Sequence, residues 1–326
     1  MNKRRGKKIA VLTSGGDCAG MNAAIRAVVR TAEFYGMESW GIFRGYEGLI
    51  DGHFKQLTSR SVSGIINLGG TILKTSRSLR FRKKKFRRIA VNNLRKRGIE
   101  ALVVLGGNGS YRGAKKFSEE FKFQVIGIPS TIDNDIAETD LTLGADTAVN
   151  VALDAIDKIR DTATSMERIF VVEVMGRDCG YIALETALAG GAENVLVPER
   201  RFSIKRIAEE IAEGNMRGKI SWIIIVAEGK AKAQDIAQQI TKFTSLQTRV
   251  TVLGHIQRGG RPTATDRILG ARFGSFAVEL LQKTTESKAV GIKSDKLVAV
   301  DFSQAISSSR SILDVKRYFD LVKILT

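Results

Sequence analysis

Hydrophobic residues fall along the chain in two alternating patterns. Short apolar runs rich in β-branched residues predict strands, and longer stretches with apolar positions at helical spacing separate them. The predicted helices include 20–35, 144–162 and 203–216. Strands that alternate with helices indicate an α/β fold with mostly parallel sheets covered on both faces. The predicted strands are 9–13, 40–43, 101–105, 124–128, 169–174, 194–197, 222–227, 250–253 and 297–300.

Three of these strands run into loops with the composition of a phosphate site. The loops read TSGGD at 13–17, GGNGS at 106–110 and PSTIDND at 129–135. Glycines between a strand and a helix let the backbone approach phosphate oxygens closely. Two carboxylates can take a proton and help hold a metal, although an Asp-Asn-Asp run is also typical of a simple turn. Three such strand ends together favour phosphoryl-transfer chemistry.

Composition narrows the class of protein. The 326 residues are 43% hydrophobic, enough for two domains of ordinary size. Cys18 and Cys179 are too few for a disulfide framework, and no apolar stretch reaches the roughly 20 residues that a membrane span needs. We therefore expect a cytoplasmic protein without membrane association. Cys18 is expected to pack rather than to react.

The net charge of +18 is concentrated between residues 77 and 97, which contain eleven Lys or Arg and no acidic residue. Such a block can bind nucleic acid, an anionic membrane or a polyphosphate nucleotide, or it can be a solvated helix face. Charge alone, without a known binding motif, does not predict nucleic-acid binding. A nicotinamide-binding fold is not favoured either, because the glycines at 107, 109 and 113 do not have G-x-G-x-x-G spacing.

Five motifs are spread over the chain: LTSGGD with GMN at 12–22, GGNGS at 106–110, TIDND at 131–135, VVEVMGR at 171–177 and LGHIQRGG at 253–260. Together they resemble the bacterial ATP-dependent 6-phosphofructokinase family over the whole chain. The resemblance implies two interleaved three-layer domains with a cleft between them. Residues 1–144 with 257–307 would bind ATP, and residues 145–256 with 308–326 would bind the sugar phosphate.

The implied reaction moves the γ-phosphoryl group of ATP to the 1-hydroxyl of D-fructose 6-phosphate, a step of glycolysis. By resemblance, Asp133 is the general base and Thr131 steadies the transferring phosphoryl group. Arg77 and Arg177 are cations near the phosphates. His53 has no implied role.

The other implied contacts divide between the two substrates, and the resemblance implies an allosteric homotetramer in which Arg168 and Arg249 reach a neighbouring subunit's site. The ATP contacts are Gly16, Tyr46, Arg77, Arg82, Gly106, Gly107, Asn108, Gly109 and Ser110. The sugar-phosphate contacts are Thr131, Asp133, Arg168, Met175, Gly176, Arg177, Glu228, Arg249, His255 and Arg258.

The chain departs from the family at the metal and donor positions. Asn108 stands where a Mg²⁺-binding Asp is usual, with Asp135 as its partner in the implied metal site. Gly109 is small, as in ATP users, whereas Ser130 matches neither ATP-dependent nor diphosphate-dependent enzymes. A diphosphate-dependent enzyme and a weakly active regulatory paralogue therefore stay open as alternatives.

The effector site also departs from the family. Ser59 and Gly64 replace a usual Arg and a usual Asp, which leaves regulation by ADP or phosphoenolpyruvate open. The positions that match are Arg26, Arg30, Arg160, Glu193, Arg217 and Lys219.

Overall fold

A computed structural model describes residues 6–307 and 312–325. The chain forms two compact units that interleave along the sequence. The chain leaves the first unit after Thr147, returns to it at Arg258, and ends in the second unit.

The first unit carries a seven-stranded sheet in the order β11-β10-β5-β4-β1-β2-β3. Its central strands β1, β4 and β5 are parallel neighbours, as the apolar runs predicted. Its elements are β1 (Lys8–Ser14), α1 (Met21–Phe34), β2 (Glu38–Ile42), α2 (Gly45–Asp51), β3 (Phe54–Leu57), a 3₁₀ turn (Arg80–Arg82), α3 (Lys84–Lys96), β4 (Ala101–Gly106), α4 (Asn108–Phe121), β5 (Gln124–Pro129), α9 (Ala264–Lys283), β10 (Lys288–Lys293), β11 (Lys296–Val300) and α10 (Phe302–Ala305).

Helices cover both faces of this sheet. Leu12, Leu102 and Val125 point to one face and form a core with side chains of α2, α3, α4 and α10. Because successive strand residues alternate in direction, Val11 and Val103 point to the other face. Helices α1 and α9 pack against each other there, on β1, β2 and β5. The α/β fold with three layers is confirmed in this unit.

The second unit carries a four-stranded parallel sheet in the order β7-β8-β6-β9. Isoleucines of α7 and α8 pack on one face, and α6 and α11 cover the other. Helix α5 (Ala145–Ser165) leads into this unit from the first. The remaining elements are β6 (Ile169–Val174), α6 (Tyr181–Gly190), β7 (Asn194–Leu196), α7 (Ile204–Met216), β8 (Trp222–Ala227), α8 (Ala233–Thr244), β9 (Thr248–Val252), a 3₁₀ turn (Gly254–Arg258) and α11 (Ile312–Leu325).

Within residues 6–307 and 312–325, every helix is too short or too polar to cross a membrane.

A buried arginine ties α3 to α4. The Arg87 side chain is 5% exposed and pairs with the Glu120 carboxylate, to which Nε donates at 2.8 Å. Its Nη1 donates to the carbonyls of Phe81 and Arg82 at 2.8 and 2.7 Å. Since the guanidinium is surrounded by acceptors, its desolvation is compensated, and the pKa of Glu120 is held below its ordinary value by the hydrogen bonds from Arg87.

We predict that Arg87→Met lowers the free energy of unfolding by about 2–4 kcal/mol at pH 7, because it leaves a carboxylate and two carbonyls without their donor. The exposed neighbour Arg88→Met is the control and should change it by less than about 0.5 kcal/mol. Pairing with Arg87 lowers the pKa of Glu120. The contribution of the ion pair to the free energy of unfolding is therefore fully present above the ordinary glutamate pKa of 4.5, and it disappears as the pH falls through the lowered pKa. Urea titrations at pH 7 and pH 3 measure both effects. Equal losses in the two variants would contradict this role.

Candidate active site

The first phosphate-type loop leaves β1 through two glycines. Gly15 has a φ of +95°, a conformation that favours glycine. A Cβ on Gly16 would lie 2.2 Å from Nη1 of Arg258, so the arginine lies directly on the loop backbone. That same Nη1 donates to the Asp17 carbonyl at 3.2 Å. Arg258, predicted as a sugar-phosphate contact, is therefore held against a loop predicted for the nucleotide.

The second loop joins β4 to α4 and is locked to the first. Ser110 Oγ donates to the Ser14 carbonyl at 3.0 Å, and Tyr46 donates its hydroxyl to the Ser110 carbonyl at 2.7 Å. A Cβ on Gly106 would lie 2.5 Å from Ser110 Oγ and 2.6 Å from the Ser14 carbonyl oxygen, so glycine is required there. A Cβ on Gly109 would have no atom within 4 Å, which leaves open space beside the amino end of α4. Anions are stabilised at such a helix terminus.

The third loop follows β5 and contains the two predicted carboxylates. Ser130 donates its backbone N–H to the Gly106 carbonyl at 3.1 Å, which continues the sheet beyond the strand. Thr131 Oγ1 accepts from the Asp133 backbone N–H at 3.2 Å, and Asn134 adopts a φ of +49°. Asp133 is 3% exposed. The loop is therefore a tightly constrained turn that holds a nearly buried carboxylate at the end of a strand.

Asn108 and Asp135 lie side by side, as the predicted metal site requires. Asn108 Nδ2 donates to the Asp135 carboxylate Oδ2 at 2.9 Å and to its carbonyl at 3.2 Å. Within the described part of the chain, the buried Oδ1 of Asp135 accepts no hydrogen bond. A carboxylate oxygen and an amide oxygen are hard donors of the kind that Mg²⁺ prefers, so the pair fits the ion. No cluster of three or more His, Cys, Asp or Glu side chains suited to a metal occurs among the described residues.

Three further residues predicted for the nucleotide lie around these loops. The segment that carries Arg77 is bonded to the first loop, since Thr75 Oγ1 donates to the Gly15 carbonyl at 3.0 Å. Arg77 and Arg82 are exposed and face solvent. Tyr46 is only 4% exposed and stacks on Phe81 with ring centroids 3.9 Å apart. Tyr46 therefore supports the second loop from within the core.

Asp266 supports the site, and the sequence motifs did not indicate it. This fully buried carboxylate accepts from the backbone N–H of Gly144 at 2.7 Å and of Thr147 at 2.9 Å. Burial raises its pKa, which the hydrogen bonds oppose. It thereby fixes the turn between the third loop and α5. The only sequence signal is Thr263 three residues earlier, which caps α9.

Cys18 lies beneath the same turn. Its Sγ donates to the Leu143 carbonyl at 3.2 Å, and burial raises the pKa of the thiol well above its ordinary value. A protonated thiol without solvent access packs and does not react, as the sequence predicted.

In the second unit, the predicted Met-Gly-Arg segment lies beside Glu228 at the carboxyl ends of β6 and β8. The Arg177 backbone N–H donates to Glu228 Oε1 at 3.2 Å, and the Glu228 N–H donates to the Val174 carbonyl at 2.8 Å. Gly176 has a φ of +139°, and a Cβ there would lie 2.4 Å from the Cys179 carbonyl oxygen. Arg177 and Glu228 are both exposed. They place a cation and a hydrogen-bond acceptor together at the carboxyl ends of two neighbouring strands.

The buried side chain of Gln257 binds the backbone of this Met-Gly-Arg segment. Gln257 was not predicted as a functional residue. It is 1% exposed, and its Oε1 accepts from the Met175 backbone N–H at 2.8 Å. Its Nε2 has no hydrogen-bond partner in the part of the chain that the structure describes. The sequence did contain a signal, because Gln257 belongs to the LGHIQRGG motif. The motif alone does not show that the Gln257 side chain points into the core.

Two predicted sugar-phosphate residues lie at the opposite ends of the strands of the same sheet. Arg168 precedes β6, and Arg249 pairs with Phe170 near the start of β9, so both mark the amino ends of parallel strands. Arg177, Glu228 and the exposed His255 follow the carboxyl ends. The six residues of β6 put Arg168 about 20 Å from the carboxyl ends, whereas Arg249, in register with Phe170, lies about 13 Å from them. The second unit therefore does not bring these two groups together.

The predicted effector residues of the second unit are engaged in local contacts. Glu193 and Lys219 form an ion pair at 3.0 Å, and Arg160 Nη2 donates to the Gly191 carbonyl at 2.7 Å. Arg217 is exposed, with the Glu213 carboxylate at 4.0 Å. In the first unit, Arg26 and Arg30 lie on α1.

The departure at Ser59 changes a contact in the first unit. The Ser59 backbone N–H donates to Glu33 Oε2 at 2.9 Å, and its hydroxyl donates to the same oxygen. Ser59 therefore binds a carboxylate and carries no charge of its own, whereas the resemblance implied a cation at this position. Gly64, the other departure, has a φ of +70°.

Comparison with known proteins places this architecture in a family. The family model of phosphofructokinase matches residues 8–281. The ATP-dependent 6-phosphofructokinase of Clostridium tetani is 56% identical over 301 residues, which cover 92% of this chain and 94% of the relative. That of Staphylococcus epidermidis is 50% identical over 321 residues, covering 98% and 99%.

Solved structures agree. Phosphofructokinase from Saccharomyces cerevisiae has a TM-score of 0.89 and 37% identity; the match covers 98% of this chain and 48% of the yeast chain, so this chain spans about half its length. A pyrophosphate-dependent phosphofructokinase from Marinobacter aquaeolei has a TM-score of 0.84 over 97% of this chain and 91% of that one, and at 21% identity it shows the fold alone. The chain belongs to the phosphofructokinase family.

Proposed function

We propose that this chain transfers the γ-phosphoryl group of ATP to the 1-hydroxyl of D-fructose 6-phosphate, giving fructose 1,6-bisphosphate and ADP. The proposal is carried by one observation. Three adjacent strand ends hold two glycine-rich loops and a carboxylate loop that are hydrogen-bonded to one another. The relatives named ATP-dependent 6-phosphofructokinase share about half of the residues of this chain over nearly its whole length.

The nucleotide is proposed to bind the first unit through its phosphates. The open space beside Gly109 and the amino end of the 14-residue helix α4 favour an anion there. Arg77 and Arg82 are solvent-facing guanidinium groups that can bind phosphate oxygens in pairs. Gly16 and the loop of residues 106–110 complete this set.

Asp133 is proposed as the general base. Its carboxylate accepts the proton of the sugar 1-hydroxyl while the hydroxyl oxygen forms a bond to the γ-phosphorus, and the bond from that phosphorus to the β,γ-bridging oxygen breaks to release ADP. The constrained turn around Asp133 fixes the orientation of its carboxylate. Such positioning of the reacting groups is a main contribution to the catalysis of phosphoryl transfer. Thr131, Arg77 and Arg177 are proposed to steady the charge on the transferring group.

Mg²⁺ is proposed to bind at Asn108 and Asp135. When bound, the ion neutralises phosphate charge and orients the phosphates of ATP. The chain's own contribution is the amide of Asn108, which holds the Asp135 carboxylate in place through a 2.9 Å hydrogen bond. This amide also lowers the negative charge of the site by one relative to a pair of carboxylates.

The sugar phosphate is proposed to bind the second unit. Glu228 would accept hydrogen bonds from its hydroxyls. Arg177 and His255 would contribute cationic or polar contacts at the same carboxyl ends of the strands. Arg249 and Arg168 lie toward the amino ends of the strands, about 13 and about 20 Å from the carboxyl ends. We propose that these two arginines serve the site of a neighbouring subunit in a homotetramer.

A donor comparison tests the proposal. Formation of fructose 1,6-bisphosphate from fructose 6-phosphate is measured with ATP, GTP and diphosphate at several Mg²⁺ concentrations. We expect ATP to give the highest kcat/KM, because Gly109 leaves room beside α4. Preference for diphosphate would support the alternative donor, and no turnover with any donor would support a regulatory paralogue.

Asp133→Asn should lower kcat by about 10²–10⁴-fold, because the amide keeps the size of the side chain but cannot accept the proton. The dissociation constant for fructose 6-phosphate, measured by calorimetry, should change little. Asp154→Asn removes an exposed carboxylate from α5 and serves as the matched control. If the two variants retained equal activity, the Asp-Asn-Asp loop would be only a turn.

Asn108→Asp should reduce the Mg²⁺ concentration needed for half-maximal rate, since it adds a charge that a hard cation favours. It also replaces a 2.9 Å hydrogen bond with two adjacent carboxylates, so we expect a lower Tm without Mg²⁺ and a larger Mg²⁺-induced rise in Tm than in the parent chain. Asn92→Asp, which adds the same charge on the exposed side of α3, is the control. An identical Mg²⁺ requirement in all three proteins would show that residue 108 does not contact the ion.

A further inference from the structure

Helix α3 lies in the most basic part of the chain. Between Asp51 and Glu100 there are fourteen Lys or Arg residues and no acidic residue. Two of the fourteen are neutralised by carboxylates: Arg87 by Glu120, and Arg80 by Glu47 and Asp51. The fold itself therefore accounts for only a small part of this charge.

Five cations of α3 are exposed and form no ion pair with any described carboxylate. We call them the basic face: Lys84, Lys85, Arg88, Arg95 and Lys96. At about 100° per residue, the five Cα positions fall within an arc of about 120°, and at about 1.5 Å per residue they extend for about 18 Å. The non-basic position inside this arc is Asn92. The basic face is thus a cationic surface along about three turns of one helix, interrupted at Asn92.

This arrangement is unfavourable for the helix alone. Lys84 and Lys85 lie in the first turn, which contains no acidic residue, and Lys83 precedes it without a side-chain cap. Cations there oppose the helix dipole. Lys84 and Arg88 are a like-charged pair at i, i+4, which also destabilises a helix. A bound polyanion would relieve both effects.

We propose that the basic face binds the phosphate backbone of duplex nucleic acid without sequence selection. A duplex carries one charge per about 1.7 Å of its axis, so the 18 Å face spans about ten phosphates. Base stacking on a single strand requires exposed aromatic rings, whereas Phe86 is half-buried, with the Lys85 ammonium over its ring at 5.0 Å. Membrane insertion requires apolar side chains, and the arc contains none, with the part-exposed Ile89 at its border.

The sequence alone did not favour nucleic acid, because charge without a surface does not define a site. The structure supplies the surface: the cations are aligned and exposed, and they form no ion pair with a described carboxylate, although Arg95 donates to the Phe121 carbonyl at 3.2 Å. None of the five belongs to the residues proposed for catalysis or substrate binding. The inference is therefore independent of the proposed function.

The test is the salt dependence of binding to a fluorescent 20-base-pair duplex of arbitrary sequence, followed by anisotropy. With five cations in contact, the slope of log K against log[salt] should be about −4.5, so affinity should fall about 140-fold between 50 and 150 mM salt. Arg88→Gln should make the slope less negative by about 0.9. Replacing all five residues with Gln should lower affinity at 50 mM salt at least tenfold while kcat stays unchanged and Tm does not fall, because the substitutions remove cations that oppose the helix dipole.

A matched control removes five other exposed cations and gives the same net charge. This control variant should keep the parent slope and affinity; equal weakening in both quintuple variants would assign binding to net charge and overturn the proposal. Tighter binding to a 20-mer of deoxythymidine, or to vesicles with 30% phosphatidylserine, would also overturn it. So would displacement by ATP at concentrations where tripolyphosphate has no effect, since the cations would then serve the nucleotide. The control replaces Lys55, Lys122, Lys232, Lys242 and Lys296 with Gln.

Discussion

The candidate site depends on the register of three parallel strands. Ser14 of β1 pairs with Gly106 of β4, and Gly106 pairs with Pro129 of β5, so the three strands end at one level. The placement of the three candidate phosphate loops in the first unit follows from this alignment. A shift of one residue would turn each side chain to the opposite face and separate the loops. The contact that fixes the alignment also leaves no room for a side chain, because a Cβ on Gly106 would lie 2.5 Å from the Ser110 hydroxyl and 2.6 Å from the Ser14 carbonyl oxygen.

The second unit repeats the same construction with different chemistry. Val174 of β6 pairs with Ala227 of β8, and the backbone that follows each strand approaches so closely that a Cβ on Gly229 would lie 1.6 Å from the Arg177 carbonyl oxygen. Glycine and register thus place the Arg177 backbone N–H against the Glu228 carboxylate, and the buried Gln257 side chain binds the backbone of the adjacent Met175. In both units the strand register of the sheet determines where the loops lie, and the charged residues of the candidate site follow the ends of the strands.

The sequence predicted the fold well where the apolar signal was strong and local. All nine predicted strands occur, whereas β3 and β10 were not predicted. β3 has only two apolar residues around Lys and Gln, and β10 begins and ends with Lys and contains a glycine. The supporting residues of the site were missed for another reason. Asp266 and Gln257 act on backbone groups 119–122 and 82 residues away, and such pairings depend on tertiary packing that no local pattern records.

Asn108 and the basic character of the chain have linked electrostatic consequences. An amide beside Asp135 leaves one negative charge near the proposed phosphate position, where the usual arrangement has two. At an effective dielectric constant of about 20, a unit charge 4 Å away is worth about 4 kcal/mol before screening by salt and water. Its removal weakens the attraction for a cation and by the same physics strengthens the attraction for phosphate anions. The exposed Arg77 and Arg82 act in the same direction, since cations around a binding site raise the local concentration of an anionic ligand. We therefore expect this site to hold the phosphates more through the protein's own cations, and less through the metal, than a site with two carboxylates.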